Sequence, residues 1–446
     1  MKSENRARSI HEPARDTPVA AESDVVVCGG GPAGVAAAVA AARTGASVTL
    51  AERYGFLGGM ATSGLVRTLS GMGLGGERIV GGVAWEMVER LEAMGGAEVD
   101  PAFDSIAVDS EAVKLVCDEL AAEAGVRVLL HTYVSAAPAS DGRIEAVIVE
   151  NKSGRAALVG RLYVDATGDG DVGARAGAPW EKGRPEDGKL LPLTTVFRIA
   201  GVDTARINRL WRDQIAPNYH QSRIRGLMEE AHAQGRLPLF GGPWVRTYGE
   251  GGTRPGQLFV NAVRIGGDAT DADSLSRAEM EGRRNAWTFL QFFRQNVPEL
   301  AEAYLSETGA QIGIRETRRF IGDAVLTLED VTEGRRPPDT VALGGHPVDI
   351  HSPAGDAGQR LIRLEQPYGI PLAALLPRGM ANLLMAGRMI SADHEAHASL
   401  RVMGTAMATG QAAGTAAAMA ASLGVTVRRI TPDSLRRRLS EDGALV

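Results

Sequence analysis

This chain of 446 residues contains few cysteines and few aromatic residues, and it has no excess of positive charge. Its two cysteines, Cys28 and Cys117, are too few for a disulfide framework, a CxxC redox pair or a cysteine zinc site, which excludes a dithiol reductase. The formal net charge of −6 lacks the positive field that non-specific nucleic-acid binding requires, so we expect no nucleic-acid partner. Aromatic residues make up 5% of the chain, whereas its 55 glycines favour tight turns and close backbone contact with a ligand.

Long apolar runs are also missing. Residues 25–42 are uncharged, but four glycines and Pro32 interrupt them. Residues 402–427 are also uncharged, but they are mostly Ala, Gly, Thr and Met, and the Leu, Ile, Phe and Val that drive membrane insertion are scarce there. We interpret both as buried segments and expect no membrane partner. Residues 1–22 are polar and contain no apolar signal-peptide region, so we predict a disordered N-terminal segment of a cytoplasmic protein.

The chain begins with a β–α–β pattern, changes character in the middle and returns to an α/β pattern near its end. The middle part mixes strand-like and helical pieces around a predicted loop over 237–256. The last part contains a predicted strand over 382–386 and a long Ala-rich helix from Arg401. We therefore predict an α/β domain whose first part is 23–189 and whose second part is 332–446, with an inserted domain at 190–331.

The sharpest signal is the sequence GGGPAG at 29–34, a G-x-G-x-x-G motif between a predicted strand and a predicted helix. Gly29 permits the tight turn, Gly31 lets the backbone approach a pyrophosphate, and Gly34 allows close packing of helix and strand. The helix N-terminus offers free N–H groups to phosphates. Glu52 ends the second strand, where it can accept hydrogen bonds from a ribose diol. These features predict a dinucleotide site.

Two later segments indicate which dinucleotide is bound. The sequence DATGDGD at 165–171 follows an apolar strand, and its A-T-G turn is typical of flavoproteins. Gly387 and Arg388 end another strand shortly before the helix at Arg401, whose N-terminus could face the flavin edge that becomes negative on reduction. A domain that binds a nicotinamide dinucleotide does not need these two later segments to contact its cofactor. The sequence therefore favours FAD over NAD, and no Cys or His is clearly placed for covalent attachment, so we predict non-covalent FAD.

These motifs resemble those of the bacterial FAD-dependent oxidoreductases in the glutathione-reductase-like flavoprotein superfamily. The matching segments lie at 29–34, 52–64, 80–82, 164–172, 312–319, 349–351 and 382–414. The resemblance covers about residues 23 to 425. It implies an α/β fold with a three-layer, Rossmann-like FAD-binding domain and an inserted α+β substrate domain.

The resemblance also implies which residues contact FAD. The expected contacts are Gly29, Gly31, Pro32, Ala33, Gly34, Glu52 and Arg53 with the ADP part, Gly59, Met60 and Ala61 beside the pyrophosphate and flavin, Val134 near the adenine, Ala166, Thr167 and Gly168 near the phosphates and ribitol, and Gly387, Arg388, Val402 and Met403 near the ribitol and ring. One departure is Gly387-Arg388, where many relatives in the wider superfamily carry Gly-Asp.

Candidate catalytic residues lie in three places. Arg315 presents a guanidinium to a carboxylate, phosphate or carbonyl oxygen, or it belongs to an Arg–Glu network that braces the two domains. His394 and His397 lie between the last strand and the last helix, where each either exchanges a proton or bonds to backbone or pyrophosphate. His351, two residues after Asp349, is expected to line or shape the pocket. We predict His397, His394, Arg315 and His351 as candidate catalytic residues and expect no metal site.

The predicted function is oxidation of a small organic substrate by hydride transfer to flavin N5. The electron acceptor is unknown, with O2, a quinone or a protein as alternatives. A reductase or monooxygenase that binds NAD(P)H transiently is a second alternative, although no second G-x-G-x-x-G lies between a predicted strand and helix. A non-redox flavoprotein is a third. A homo-oligomer is also left open.

Overall fold

The computed structural model describes residues 10–99, 105–215, 223–247, 254–352 and 358–446. Its helices, in chain order, are α1 (Pro32–Arg43), α2 (Gly82–Ala93), α3 (Ser110–Glu123), α4 (Asp171–Arg175), α5 (Thr204–Ile215), α6 (Arg223–Ala233), α7 (Ala272–Asn296), α8 (Leu328–Thr332), α9 (His394–Leu400), α10 (Met403–Leu423) and α11 (Pro432–Glu441). The strands, in chain order, are β1 (Val19–Cys28), β2 (Val48–Ala51), β3 (Thr68–Ser70), β4 (Gly73–Leu74), β5 (Glu77–Arg78), β6 (Ala97–Glu98), β7 (Ser105–Val108), β8 (Arg127–Leu129), β9 (Tyr133–Ala136), β10 (Ala139–Ser140), β11 (Arg143–Ile144), β12 (Val147–Asn151), β13 (Gly154–Asp165), β14 (Trp180–Lys182), β15 (Val196–Ala200), β16 (Phe240–Arg246), β17 (Gln257–Val263), β18 (Tyr304–Thr308), β19 (Arg318–Phe320), β20 (Thr340–Gly344), β21 (Val348–His351), β22 (Gln359–Ile362), β23 (Tyr368–Pro371) and β24 (Leu383–Met385).

The main sheet has seven strands, and its central part is parallel. Strands β8, β2, β1 and β13 pair in this order and in parallel, and β24 adds a further parallel partner along the second half of β13. The first half of β13 pairs antiparallel with β12, which in turn pairs with β9. This topology confirms the predicted α/β fold with a Rossmann-like parallel sheet.

Helices α1 and α10 pack closely together against this sheet. Both are rich in Ala and Gly, so their backbones can approach each other. A Cβ added at Gly410 would lie 2.1 Å from the carbonyl oxygen of Ala33, and one at Gly414 would lie 2.0 Å from that of Ala37. The uncharged stretches at 25–42 and 402–427 are therefore largely buried helices of the core. Among the described residues, no helix has the length and apolar character needed to cross a membrane.

A second sheet covers one end of the first. Strands β16, β17, β15 and β18 form an antiparallel sheet in this order, with α5, α6 and α7 in the same part of the chain. Its buried side chains form a hydrophobic core of their own, drawn from residues 193–314. The larger core combines residues from both ends of the chain. These two cores support the proposed inserted α+β domain.

Three parts of the structure differ from the sequence-based expectations. Val19 to Glu22, predicted as disordered, belong to β1, because β13 is long enough to pair with them. The predicted loop over 237–256 contains β16, which pairs with β17, and its residues 248–253 lie outside the described part. Phe320 and Val331 pack in the larger core, so the chain leaves the inserted unit earlier than the predicted boundary at 331.

Candidate functional site

One cavity of about 520 Å³ lies between the parallel sheet and the antiparallel sheet. The residues that follow four parallel strands line it, namely Gly29 after β1, Glu52 after β2, Ala166 after β13 and Gly387 after β24. In open α/β sheets, ligands bind outside the carboxyl ends of the strands. The position of the cavity therefore follows from the fold.

The glycine turn forms the floor of one end of this cavity. Gly29 has a φ of 97°, and a Cβ at this position would lie 2.4 Å from the carbonyl oxygen of Ala166. A Cβ at Gly34 would lie 1.7 Å from the carbonyl oxygen of Gly29, so Gly34 makes the close contact between helix and turn. Gly31 is the N-cap of α1 and has no side chain to cap the first-turn N–H groups, which remain for an anionic ligand.

Glu52 directly follows β2, is 6% exposed and accepts a hydrogen bond from the glycine turn. Its Oε2 accepts a hydrogen bond from the Gly30 N–H at 2.5 Å, and its Oε1 accepts one from the Tyr54 N–H at 2.9 Å. Burial raises the pKa of this carboxyl, and the two N–H donors oppose that shift. Glu52 thus orders the turn and also lines the cavity, as its predicted role requires.

A second turn, from Asp165 to Gly168, is held by a buried carboxylate. The Oδ1 of Asp165 accepts hydrogen bonds from the backbone N–H and the hydroxyl of Thr167, and its Oδ2 accepts one from the Gly173 N–H. Burial raises the pKa of Asp165 to about 6. This carboxylate faces the protein backbone, so it shapes the turn and leaves Thr167 and Gly168 on the cavity wall.

Arg388 joins the second turn to the third. Its Nη2 donates to Asp169 Oδ1 at 2.5 Å, and both side chains are largely buried. The guanidinium also lies against Gly168, where an added Cβ would be 2.8 Å from Nη1. The sequence departs from many superfamily relatives at Gly387-Arg388, and here the carboxylate that meets this turn comes from Asp169. The structure thus gives Arg388 a defined place on the cavity wall.

Most of the predicted cofactor-binding residues meet at this cavity. Those that line it are Gly29, Gly31, Pro32, Ala33, Glu52, Arg53, Gly59, Met60, Ala166, Thr167, Gly168, Gly387, Arg388, Val402 and Met403. Gly34, Ala61 and Val134 do not line it; they are buried in α1, in the short 3-10 helix at 59–61 and in β9. Gly31 and Gly59 face each other, and a Cβ at Gly59 would lie 2.7 Å from the Gly31 Cα. This side-chain-free cradle fits an extended dinucleotide.

Two of the four candidate catalytic residues, Arg315 and His351, line the same cavity. His351 Nε2 lies 3.1 Å from Asp349 Oδ2. Burial lowers the pKa of His351 to about 3, the charge of Arg315 adds to this shift, and the hydrogen bond to Asp349 opposes it. Burial raises the pKa of Asp349, but the hydrogen bond from His351 and the charge of Arg401 hold it below its usual value. His351 is therefore neutral and Asp349 ionised at neutral pH.

His394 and His397 do not line the cavity. Both belong to α9 and are buried behind it. His394 Nδ1 lies 2.9 Å from Glu316 Oε1, and the same oxygen accepts a hydrogen bond from Arg319. Burial and the charge of Arg319 lower the pKa of His397 well below its usual value. Their helix packs against β21 and α8, and neither histidine lies on the wall of the cavity.

Several cavity residues were not predicted from the sequence. On the inserted domain, Trp244 and Arg246 alternate along β16 and pair across the sheet with Asn261 and Phe259 of β17. We call these four residues the roof patch. Their alternation at every second residue is the available sequence signal, but the stretch that contains β16 is rich in Gly and Pro and was interpreted as a loop.

Arginine dominates the charged residues of the cavity wall. The arginines that line it are Arg53, Arg67, Arg246, Arg264, Arg315, Arg388 and Arg401, whereas its acidic residues are Glu52 and Asp349. Burial and the neighbouring Arg67 lower the pKa of Arg246 to about 10, which leaves it charged at neutral pH. This wall is therefore cationic and suits the anionic groups of ligands, even though the net charge of the chain is negative. The described residues contain no cluster of three or more His, Cys, Asp or Glu that could hold a metal ion.

Comparison with solved structures gives remote similarities. The chain is similar to a geranylgeranyl bacteriochlorophyll reductase-like protein from Thermoplasma acidophilum, with 13% identity over 94% of this chain and 83% of that chain and a TM-score of 0.47. It is similar to the flavin-dependent brominase Bmp2, with 14% identity over 94% and 84% and a TM-score of 0.48. It is also similar to the p-nitrophenol 4-monooxygenase PnpA from Pseudomonas putida DLL-E4, with 12% identity over 94% and 84% and a TM-score of 0.45. At these values none of them bears on the substrate of this chain.

Comparison with protein families is decisive. A search of curated proteins finds no significant match. The family model described as FAD dependent oxidoreductase, however, matches residues 24–439, which include both parts of the main sheet and the inserted unit. Because this match spans nearly the whole chain, the protein belongs to the FAD dependent oxidoreductase family, and its cofactor is FAD.

Proposed function

We propose that this FAD-dependent oxidoreductase oxidises a small organic substrate by hydride transfer to the flavin. The supporting observation is that one cavity runs from the glycine turn to the His351–Asp349 pair and Arg315. The dinucleotide cradle and a set of proton-handling and charged side chains therefore share one space. The electron acceptor is not part of this proposal.

The chain's own residues would hold the cofactor in three places. The first-turn N–H groups of α1 after Gly31 would bind the pyrophosphate, and Glu52 would bind the ribose. Arg388 and the N-terminus of α10 at Val402 and Met403 would contact the ribitol and ring. Bound there, the flavin supplies a two-electron acceptor at N5. We propose that attachment is non-covalent.

The oxidation of a C–H bond next to a heteroatom also releases a proton. We assign His351 to take it because it lines the cavity beside Asp349, even though burial lowers its pKa to about 3 before a substrate binds. Its Nε2 is the nitrogen next to Asp349 Oδ2, so the hydrogen bond assigns the proton of the neutral ring to Nε2. That assignment leaves Nδ1 free to accept a proton from the substrate. Asp349 then stabilises the imidazolium that forms, as a buried carboxylate beside a histidine does in other enzymes.

The first test is anaerobic titration of the purified, flavin-loaded protein with alcohols, amines, sugars and acids. We expect at least one of these compounds to bleach the flavin absorbance without NAD(P)H. Rapid bleaching by NADPH alone in stopped-flow mixing would instead support a reductase or monooxygenase. Failure of both kinds of compound to reduce the flavin would count against the proposed oxidation and favour the non-redox alternative.

A variant series tests the role of His351. We expect His351→Asn to lower the rate of flavin reduction by roughly 100-fold or more, because proton transfer by a positioned base contributes 10²–10⁴-fold. The matched control is His131→Asn, which changes an exposed histidine outside the cavity. Equal rates of flavin reduction in both variants would show that His351 is not the base.

A further inference from the structure

Arg315 is a buried cation without a counter-ion. It is 8% exposed and lines the cavity. Its Nη1 donates one hydrogen bond, to the carbonyl oxygen of Pro192 at 2.7 Å. In the described part of the chain, no carboxylate lies within 4 Å of this guanidinium, the distance that defines an ion pair here. The rest of its planar donor set faces the cavity.

Three other arginines near Arg315 have carboxylate partners. Arg319 donates to Glu316, and Arg388 forms its ion pair with Asp169. Arg401 contacts Asp349, with Nη2 at 3.4 Å from Oδ2. The expected Arg–Glu network that braces the domains therefore exists, but it uses Arg319 and Glu316 and leaves Arg315 on the cavity side.

The surroundings of Arg315 make its positive charge unfavourable. Burial lowers its pKa well below the usual value, and the charges of Arg264 and Arg401 lower it further, while Asp349 opposes them. An unpaired charge taken out of water costs several kcal/mol unless another group compensates it. An anion in the cavity is the missing partner that this arrangement accommodates.

We propose that the substrate carries a carboxylate and that Arg315 binds this group on the inserted-domain side of the cavity. This inference rests on the proposed function and names its substrate class. A guanidinium presents parallel N–H donors that match the two oxygens of a carboxylate. A carboxylate would also bring a negative charge to this guanidinium. The phosphates of FAD have the glycine turn and the N-terminus of α1, at the end of β1, as their own site.

Binding of a carboxylate would also favour the proposed proton transfer. The positive charge of Arg315 is one of the causes that lower the pKa of His351. A carboxylate opposite Arg315 would screen this charge and raise the pKa of His351 toward its usual value. The substrate would thereby improve the base that removes its own proton.

The roof patch guides the choice of a probe. The rings of Trp244 and Phe259 line the same cavity as Arg315 and offer apolar surface to the body of a ligand. Benzoate combines a carboxylate with an aromatic ring, and benzamide is its neutral counterpart of nearly the same shape. Comparison of these two compounds isolates the charge of the ligand.

The test measures binding to the FAD-loaded protein by isothermal titration calorimetry at constant ionic strength, with benzoate, benzamide, acetate and inorganic phosphate as ligands. We expect benzoate to bind at least about 10-fold more tightly than benzamide, because a hydrogen bond to a charged group contributes about 1.5–3 kcal/mol. We expect Arg315→Gln to weaken benzoate binding by roughly 10- to 100-fold and to leave benzamide binding unchanged. Arg315→Lys retains the charge without the planar fork and should lie between the two.

Two controls separate binding from folding. Arg284→Gln removes one positive charge from an exposed position on α7, and it should leave benzoate binding unchanged. Without ligand, Arg315→Gln should unfold at the same temperature as the native protein or at a higher one, because it removes an unpaired buried charge. Benzoate should raise the unfolding temperature of the native protein and not that of the variant.

Three results would overturn the inference. One is equal affinity for benzoate and benzamide in the native protein. Another is tighter binding of phosphate than of benzoate or acetate, which would assign the site to phosphorylated ligands. The third is loss of FAD in Arg315→Gln, which would assign Arg315 to the cofactor. None of these results depends on turnover, so a failed substrate screen would count against the proposed function and leave the carboxylate site standing.

Discussion

At the scale of single residues, two glycines with the same backbone conformation have different surroundings. Gly29 has a φ of 97° and Gly45 a φ of 99°, a region that L side chains rarely adopt. A Cβ at Gly29 would collide with the backbone of Ala166, whereas among the described atoms none lies within 4 Å of a Cβ at Gly45. Their comparison separates backbone strain from the closeness of the turn to its neighbour.

The first prediction uses this pair. We expect Gly29→Ala to lower the free energy of unfolding by about 2–5 kcal/mol, because strain and a backbone collision add. It should also lower the FAD content of the purified protein, because the displaced turn is the dinucleotide cradle. Gly45→Ala should cost about 1 kcal/mol and retain FAD. Urea denaturation and the flavin absorbance per protein measure both effects, and equal FAD content in the two variants would contradict the prediction.

The second prediction concerns the pH dependence of stability through His351. Above its unfolded pKa of 6.5, neither the folded nor the unfolded state protonates this residue. As the pH falls from 6.5 toward 3, the unfolded state binds a proton and the folded state does not. Stability is therefore lost over that interval, with a slope of at most about 1.4 kcal/mol per pH unit.

We expect His351→Asn to reduce this loss. Urea denaturation at pH 7.5, about 6 and about 4.5 should show a shallower decrease in the variant than in the native protein. The ionisation of Asp349 is expected to affect stability mainly below its usual pKa of 3.8, which is lower than the lowest of these three pH values. Parallel curves for the two proteins would show that the folded state protonates His351 normally.

At the scale of elements, the contact between α1 and α10 depends on small residues. Gly410 and Gly414 are spaced by four residues, so both face α1 on one side of α10. Their missing side chains let the helix approach the carbonyl oxygens of Ala33 and Ala37. Since α1 carries the phosphate-binding end and α10 carries Val402 and Met403, this contact also sets the width of the cavity.

The third prediction follows from that contact. We expect Gly410→Ala and Gly414→Ala each to lower the free energy of unfolding by about 1–3 kcal/mol, because a methyl group would force the helices apart. Gly226→Ala on α6 is the matched control, because among the described atoms none lies within 4 Å of its added Cβ. That change should stabilise the protein by about 0.5–1 kcal/mol. Stabilisation by all three changes in chemical denaturation would contradict the close packing.

At the scale of the whole molecule, Glu316 connects the two cores. Its side chain is fully buried. Its Oε2 accepts a hydrogen bond from the Leu191 N–H at 2.9 Å, at the start of the inserted unit. Its Oε1 contacts His394 on α9 and Arg319 on β19. One carboxylate therefore joins the chain entering the second sheet to two elements whose apolar side chains belong to the larger core.

The fourth prediction tests this junction. We expect Glu316→Gln to lower the free energy of unfolding by about 3–5 kcal/mol, because it leaves the charge of the buried Arg319 without its main partner. Glu181→Gln removes the other carboxylate near Arg319, which is largely exposed, and should cost about 1 kcal/mol or less. Thermal unfolding of both variants measures the difference. Equal effects would show that the buried partner is not the principal one.

The amino-acid sequence by itself determined the cofactor end of this protein. The cofactor-binding turns lie at 29–34, after Glu52, at Ala166 and at Gly387. Each is formed by residues that are adjacent in the chain, so the order of the residues is enough to predict the shape of the turn. Local patterns likewise predicted β24 over 382–386 and the start of α10 near Arg401 to within a few residues. The family match then confirmed FAD.

Only the tertiary structure decided which charged residues face the substrate end. Arg315 and Glu316 are neighbours in sequence, yet one lines the cavity and the other joins the two cores. The roof patch comes from two strands, and β16 forms because β17 offers it a partner, in a stretch with weak local preference. The sequence analysis expected His394 to exchange a proton or to bond to backbone or pyrophosphate, and His351 to line the pocket, but only the structure gave each its partner. Side-chain direction and charge pairing depend on distant elements, and no local pattern encodes them.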